Sequence, residues 1–145
     1  MICLLQRVLE GSVTIDNQSV AQIERGLVVL CGFQPNDSHD KLKKMAKKLL
    51  SYRVFADDNG RMNLNVQQVD GGVILVPQFT LAADTQSGLR PSFSTSAAPD
   101  IATQLFDQFI TECQALYAPI QQGQFGADMK VGLINDGPVT FWLEN

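Results

Sequence analysis

The chain has 145 residues, of which 45% are hydrophobic and 18% are charged. This composition is typical of one globular domain over residues 1–145 and excludes a disordered or fibrous chain. Fifteen acidic against eleven basic residues give a net charge of −4, which disfavours a protein that holds long duplex nucleic acid but leaves room for a short, local contact.

The N-terminal segment and the cysteines bear on the cellular compartment. No apolar run approaches the ~20 residues that a membrane-spanning helix needs. Arg7 and Glu10 come too early for a secretory signal, so a cytoplasmic protein without a membrane segment is predicted. Cys3, Cys31 and Cys113 are odd in number and far apart in apolar contexts, which predicts buried, reduced thiols.

The first third of the sequence predicts four β-strands. They cover residues 2–9, 12–15, 20–24 and 27–31, with Gly11 separating the first two and a turn at Asp16-Asn17. The last of the four is an uninterrupted apolar run, which indicates a strand that is buried on both faces.

A helix with two unlike faces is predicted next, with Asp37 or Ser38 as its N-cap. Its apolar positions recur at helical spacing and are Leu42, Met45, Ala46, Leu49 and Leu50. The positions between them hold Lys41, Lys43, Lys44, Lys47 and Lys48. A solvated face is the simpler interpretation of these lysines. The alternative is an RNA contact, which Arg53 mildly favours, because this is the only positive cluster in an acidic chain.

The middle of the chain alternates strands with loops. Residues 54–55 predict a short strand and residues 57–60 a turn. Residues 73–76 predict a central strand, which Pro77 ends because proline has no N–H to donate. The following segment, residues 82–97, is rich in Ser, Thr, Gly and Pro, and a loop of this length in a compact domain is often functional.

The last third predicts one helix and three strands. Pro99 is expected in the first turn of the helix, whose apolar face comprises Ala102, Leu105, Phe106, Phe109, Ile110, Cys113 and Leu116. The strands cover residues 121–125, 129–134 and 139–143, with residues 135–138 as a turn between the last two. The order of elements predicts a single α/β or α+β domain with a mixed or antiparallel, barrel-like sheet and two main helices.

The sequence lacks the common catalytic motifs. It contains no zinc-protease motif, no paired Cys or His ligands, no glycine-rich nucleotide loop and no GxSxG turn. His39 is the only histidine, and its position between Ser38 and Asp40 is typical of a helix start rather than of a general base. We therefore expect neither a metal nor a cofactor.

Two segments are unusual for a purely structural role. Residues 77–81 place polar groups and a ring at the end of a buried strand, where ligands often bind. A strand end with a buried phenylalanine is the simpler interpretation. Residues 135–140 contain Gly137 before Pro138, and the simpler interpretation there is a plain turn. Only about 5–6% of X–Pro bonds in folded proteins are cis, so composition alone predicts a trans peptide at this pair.

Together these segments resemble the D-aminoacyl-tRNA deacylase family. The family's Ser-Gln-Phe-Thr motif reads Pro77-Gln78-Phe79-Thr80 here, and its Asn-x-Gly-Pro-Val-Thr motif covers Asn135 to Thr140. Further segments at residues 62–66, 88–93 and 125–129 look like family segments too. Each segment is short, but their order over the full length of the chain is specific.

The resemblance implies a homodimer that hydrolyses the ester of D-aminoacyl-tRNA, and of glycine mischarged onto alanine tRNA, while it leaves L-aminoacyl-tRNA intact. It implies two sites at the subunit interface, where a cis Gly137–Pro138 peptide of one subunit bars an L side chain from the other's pocket. The 3′-terminal adenosine would bind at Phe79. The residues that it assigns to substrate binding and chiral selection are Gly137, Pro138, Phe79, Phe125, Met129, Asn135, Val139 and Thr140.

The resemblance places catalysis at Gln78, Phe79 and Thr80. Backbone donors in this segment could form an oxyanion hole, and the ribose 2′-hydroxyl could help to activate water, since an aminoacyl ester is already reactive. The alternative is Thr80 as a nucleophile. A threonine without an adjacent base is a poor nucleophile, so we favour backbone and substrate assistance.

One departure from the family motif keeps other functions open. Pro77 stands where the family usually has serine, so a hydroxyl and a backbone N–H are missing there. One alternative is a catalytically weakened module that binds the end of tRNA. Another is a small-molecule hydrolase with Thr80 as its nucleophile. We expect activity to be retained, because residues 78–80 and 135–140 match the family motifs.

Overall fold

The strand β1 (Ile2–Ile15) organises the sheet in this computed structural model, which describes residues 1–86 and 88–145. The predicted turn at Asp16 and Asn17, both with positive φ, leads into β2 (Gln18–Ile23). The other strands are β3 (Gly26–Gly32), β4 (Phe55–Ala56), β5 (Met62–Leu64), β6 (Gly72–Pro77), β7 (Ile120–Gln122) and β8 (Met129–Glu144). The helices are α1 (His39–Ser51) and α2 (Pro99–Leu116), with a 3₁₀ helix at Phe79–Ala82.

The main sheet is mixed, as predicted. Its strand order is β2-β1-β3-β6-β7, and β8 pairs with β1. The β3–β6 and β6–β7 pairs are parallel, whereas β1 is antiparallel to all of its partners. The six strands form a nearly closed barrel, and β4 and β5 form a separate hairpin. Within the described residues, β8 pairs only with β1, so its other edge is free.

Both helices bury the faces that their spacing predicts. All five apolar residues of α1 are buried, and α2 buries six of its seven predicted core residues. The exception is Leu116, which is 42% exposed because it is the last residue of the helix. Phe33 contacts Phe106 and Phe109 edge to face and so ties α2 to the end of β3. Among the described residues, no helix is both long and apolar enough to cross a bilayer.

Two predicted strand breaks are wrong. Residues 2–9 and 12–15 form one strand, because Gly11 continues the pairing with β2 and β8. A Cβ at Gly11 would lie 2.5 Å from Val28 Cγ2, so this glycine reflects close packing rather than a turn. Residues 129–144 also form one strand, because both halves run antiparallel to β1 and the chain never reverses.

Smaller differences concern the ends of elements. β7 ends at Gln122 rather than at residue 125, and β5 was not predicted. Ser38 is the N-cap of α1 without a side-chain bond to the helix. The Asp37 carboxylate instead accepts hydrogen bonds from the N-terminal ammonium and from Gln34 N. Beyond Ala82, the described part of the predicted loop 82–97 contains no helix or strand, and its one β-type pairing is the isolated Asp84–Ser92 bridge. Residue 87 lies outside the described residues.

The three cysteines are free and buried, as predicted, and we expect them to be unreactive in the native protein. Burial raises the pKa of the Cys31 and Cys113 thiols. The thiolate is the reactive form, so a raised pKa keeps both groups protonated at neutral and mildly alkaline pH. A chromogenic disulfide reagent at pH 8 should label no thiol in the folded protein and all three after denaturation. Rapid labelling of the folded protein would contradict the structure.

Candidate active site

An open cavity of about 640 Å³ lies at the end of β6. Its walls come from three parts of the chain that are distant in sequence. These are residues 76–79 at the end of β6, residues 96–99 at the start of α2 and residues 125–129 at the start of β8, with Phe93 and Val131. Because polar groups and aromatic rings converge on one concave surface, this cavity is the best candidate for a ligand site in the described residues.

The 3₁₀ helix gives the segment after β6 a fixed position. Gln78 N donates to Cys31 O at 2.7 Å, which continues the pairing with β3 past Pro77. Gly32 allows the helix to approach, since a Cβ there would lie 3.0 Å from Leu81 Cβ and 3.2 Å from Gln78 O. Ser96 Oγ donates to Phe79 O at 3.2 Å. The turn is therefore held from two sides.

Two backbone donors at the start of this 3₁₀ helix are free. Neither Phe79 N–H nor Thr80 N–H has a hydrogen-bond partner within residues 1–86 and 88–145, as expected for the first residues of a helix. Gln78 N–H, by contrast, is already bonded to β3. Of the three backbone N–H groups in residues 78–80, two are therefore free to donate to a ligand. Both belong to residues that are exposed to solvent.

The Thr80 hydroxyl has one close polar neighbour. Gln78 Nε2 donates to Thr80 Oγ1 at 2.5 Å. An amide nitrogen is a donor and cannot take up a proton from the hydroxyl. No histidine, carboxylate or amine of the described residues bonds to Thr80. The hydroxyl therefore lacks the adjacent base that would make it an effective nucleophile.

Aromatic side chains line the cavity mouth. The Phe79 ring is 50% exposed, and its centroid lies 5.0 Å from that of Phe93 with a tilt of 57°. Phe125 and Met129 also line the cavity. Met129 can reach this position because Gly123 has no side chain: a Cβ there would lie 2.6 Å from the Met129 sulfur. Exposed rings at a cavity mouth are suited to contact a flat ligand.

The second predicted segment forms a bulge in β8. Gln6 is opposite Thr140 and Val8 is opposite Asn135, so two steps along β1 correspond to five along β8. The Asn135 side chain closes the bulge: Oδ1 accepts from Val139 N at 2.6 Å, and Nδ2 donates to Thr140 Oγ1 at 3.1 Å. The Gly137–Pro138 peptide at its tip is cis, as the resemblance implied and contrary to the expectation from composition.

Arg7 connects this bulge to the body of the protein. Its Nε donates to Asp136 O at 3.1 Å, and its Nη1 donates to Val54 O at 2.6 Å. Nε also forms a salt bridge with Asp136 Oδ2 at 3.1 Å. Gly137 and Pro138 are exposed, although the residues behind them are fixed. The bulge is therefore a firmly held projection rather than a loose loop.

Within one chain, the two predicted groups of site residues do not meet. Gln78, Phe79, Phe125 and Met129 line the cavity. The bulge residues, Asn135, Gly137, Pro138, Val139 and Thr140, are not among its lining residues. Met129 and Gly137 occupy the same strand but are eight residues apart, and eight residues of regular strand span about 26 Å.

Several residues that shape the site were not predicted from the sequence. Arg7 is not among the predicted site residues, yet it fixes the bulge. Phe93 and Ser96 belong to the loop 82–97, and Phe93 also to the family-like segment 88–93, but neither is among the predicted site residues; both line the cavity. Arg7 is one of only two arginines before residue 53 and lies in the mostly apolar segment 2–9, which is a signal in the sequence for a structural role. Nothing in the sequence marks the partners of Phe93 or Ser96.

His39 lies outside the cavity, as predicted for a surface histidine. Its Nε2 is 2.8 Å from Glu112 Oε1, so it links the start of α1 to α2, and its side chain is 59% exposed. Over the described ranges, no group of three or more His, Cys, Asp or Glu residues is arranged to hold a metal ion.

Comparison with known proteins shows the family of the chain. The family model described as D-Tyr-tRNA(Tyr) deacylase matches residues 4–144. A curated relative from Hydrogenovibrio crunogenus, named D-aminoacyl-tRNA deacylase, is 61% identical over 99% of both chains. A relative of the same name from Shewanella baltica is 54% identical, also over 99% of both chains.

One solved structure shares both fold and sequence with this chain. It is that of a protein named c-Myc DNA Unwinding Element Binding Protein, which superposes with a TM-score of 0.95 at 34% identity and is matched over 100% of this chain and 99% of its own. Because the family model and the curated relatives cover almost every residue, the chain belongs to the D-Tyr-tRNA(Tyr) deacylase family.

Proposed function

We propose that this chain hydrolyses the ester between a D-amino acid and the 3′-terminal adenosine of tRNA. One observation carries the proposal: two consecutive backbone N–H groups are free, that of Phe79, which lines an aromatic-walled cavity, and that of Thr80 directly after it, in a member of a deacylase family. Because aminoacyl-tRNA is the substrate, the reaction belongs in the cytoplasm, where translation takes place.

The reaction needs only a water molecule and donors to the developing charge. Water attacks the ester carbonyl, and the carbonyl oxygen becomes an oxyanion that accepts from Phe79 N–H and Thr80 N–H. Collapse of this intermediate breaks the bond to the ribose oxygen, which takes the proton that the water loses. The neighbouring 2′-hydroxyl is within the substrate and can relay that proton. Removal of one such donor typically lowers kcat by about 10²- to 10³-fold.

Replacement of Thr80 by valine distinguishes this mechanism from covalent catalysis. Valine keeps the branched shape and the backbone N–H but removes the hydroxyl. We expect kcat for D-Tyr-tRNA to stay within about fivefold of the wild type, because no base activates the hydroxyl. If Thr80 were the nucleophile, the loss would be at least about 10⁴-fold. Single-turnover hydrolysis measures the difference, and an acyl adduct on Thr80 in the mass spectrum would also contradict the mechanism.

Chiral selection, in this proposal, requires a second copy of the chain. The bulge of one subunit enters the cavity of the other, so that the carbonyls of Gly137 and Pro138 block the Cβ of an L-amino acid. Two features support this arrangement: the bulge is a rigid projection with an exposed tip, and β8 has a free edge. Glycine has no Cβ, so the same site would also accept glycine mischarged onto alanine tRNA.

Hydrolysis of D-Tyr-tRNA and of L-Tyr-tRNA by the purified protein, with EDTA present, tests the function directly. We expect loss of the D-ester alone, because exclusion acts on the position of Cβ. Protection of both esters with retained binding would overturn the enzymatic function and favour a tRNA-end binding module. In that event, Pro77→Ser would test whether the missing hydroxyl and N–H account for the lost activity. A small-molecule hydrolase would cleave simple D-amino-acid esters as fast as charged tRNA.

A further inference from the structure

Helix α1 and the two residues after it concentrate positive charge that the rest of the chain lacks. Residues 39–53 contain six basic residues and one acidic residue, whereas the remaining 130 residues contain five basic and fourteen acidic residues. The segment thus has a charge of +5 in a protein whose net charge is −4. A local reversal of sign of this size would attract a polyanion while the acidic remainder repels it elsewhere.

The central lysines of this face are not neutralised by the protein. Lys43, Lys44 and Lys47 are exposed and have no carboxylate within 4.0 Å and no hydrogen bond in the described part of the chain. The flanking lysines are partly engaged: Lys41 lies 3.7 Å from Asp37 Oδ1, and Lys48 Nζ donates to Glu144 O at 3.4 Å. We call Lys43, Lys44 and Lys47 the lysine face.

The spacing of the lysines is unfavourable for a face that is merely solvated. Lys43 and Lys47 are four residues apart, as are Lys44 and Lys48, so their side chains are neighbours on the helix surface. Like charges at this spacing destabilise a helix, whereas an ordinary exposed helix alternates lysine with glutamate. The buried stripe that faces α2 and the core holds the helix in place despite this repulsion.

The lysine face and the cavity share one rigid scaffold. α1 packs against α2, whose first residue, Pro99, lines the cavity together with Ala98. Phe33, in the segment that leads to α1, accepts a hydrogen bond from Ala97 N at 2.9 Å. A helix of 13 residues is about 20 Å long, which is long enough to lie along several phosphates of a nucleic-acid backbone.

We propose that the lysine face binds phosphates of the tRNA acceptor stem while the 3′-terminal nucleotide occupies the cavity. The inference rests on the proposed function and adds to it the surface that holds the body of the substrate. The charge is complementary, the lysines are free, and the contact is local, as a protein of net negative charge requires. Lysine acts here as a point charge on a flexible stem, which suits phosphates of variable position.

A triple substitution, Lys43→Gln, Lys44→Gln and Lys47→Gln in one chain, tests the inference. The three side chains are exposed, so the fold should be unaffected. The matched control is Lys43→Arg, Lys44→Arg and Lys47→Arg, which keeps the charge. Two substrates are compared for each protein: D-Tyr-tRNA and the D-tyrosyl ester of adenosine, which has no acceptor stem. Binding is measured in parallel with a D-Tyr-tRNA in which an amide replaces the ester.

The glutamine variant should raise KM for D-Tyr-tRNA and Kd for the amide analogue at least about tenfold near 0.1 M salt, with kcat unchanged. The slope of log Kd against log salt should fall by about 2 to 3, close to one for each phosphate that the variant no longer neutralises. The arginine variant should behave like the wild type. All three proteins should hydrolyse the adenosine ester equally.

Three results would overturn the inference: an unchanged Kd and salt slope in the glutamine variant, an equal loss in the arginine variant, or a parallel loss on the adenosine ester. Failure of the proposed function is a separate outcome. In that case the wild type would hydrolyse neither substrate, yet the binding of the amide analogue would still decide whether the lysine face contacts tRNA.

Discussion

Replacement of Gly137 by alanine should lower kcat/KM for D-Tyr-tRNA by about 100-fold or more and reduce the preference for the D-ester. Gly137 has a φ of +143°, a conformation that residues with a Cβ rarely adopt. A Cβ there would lie 2.6 Å from Val139 Cγ2 and 3.0 Å from Val139 N. The backbone must therefore move, and Val139 N is the group that the Asn135 side chain holds.

The physical reason for so large an effect is the precision that steric exclusion requires. In the proposed function, the Gly137 and Pro138 carbonyls act by their position alone. A displacement of about 1 Å at a positioning group can lower the rate about 100-fold. The same displacement opens space for an L side chain, so the ratio of D to L hydrolysis should fall as well.

Gly60→Ala is the matched control. Gly60 also has a positive φ, of +75°, but a Cβ there would meet nothing within 4 Å, and it lies in the turn between β4 and β5. It places a Cβ at a positive φ without the clash and away from the site. Initial rates on both esters, together with urea unfolding of each variant, measure the comparison. If the Gly137→Ala protein kept both the rate and the preference for the D-ester, the bulge would have no part in the mechanism.

Replacement of Phe79 by alanine should lower kcat/KM for D-Tyr-tRNA by about 5- to 150-fold, because base–aromatic stacking contributes about 1–3 kcal/mol per base. The ring is half exposed and packs on Phe93, so its loss should change the free energy of unfolding little. The backbone N–H of residue 79 remains, which separates the role of the ring from that of the oxyanion hole. The loss should fall mainly on KM.

Two controls accompany this variant. Phe79→Tyr keeps the ring and should retain most of the activity. Leu116→Ala removes an apolar side chain of similar exposure at the far end of α2 and should leave hydrolysis unchanged. Steady-state kinetics with D-Tyr-tRNA and with the D-tyrosyl ester of adenosine should show the same loss for Phe79→Ala. A loss confined to kcat would instead assign the ring to the chemical step.

The helices and central strands could be predicted because their residues repeat a simple pattern. The stripe from Leu42 to Leu50 recurs at helical spacing, and every residue of it is buried. The apolar runs of β3 and β6 predicted strands that are covered on both faces, and these strands do lie side by side in the middle of the sheet. Such patterns depend on local spacing and general burial alone.

The errors arose where a distant partner decides the local structure. Residues 135–138 have the composition of a turn, but β1 pairs with the chain on both sides of them and keeps it running in one direction. Free donors such as Phe79 N–H are likewise invisible in a sequence, because they are defined by the partners they lack. The family motifs predicted the candidate site residues, but only the fold showed that they form two separate groups.

The continuity of β8 has a consequence for mixed assemblies. One strand carries Met129, in the wall of its own chain's cavity, and Gly137, at the tip of the bulge. In the proposed dimer, each active site therefore draws its two halves from different polypeptides. A Gly137→Ala chain and a Phe79→Ala chain, each impaired alone, should regain activity when they are unfolded and refolded together. Each mixed dimer then has one intact site and one doubly damaged site, so two defective alleles complement each other.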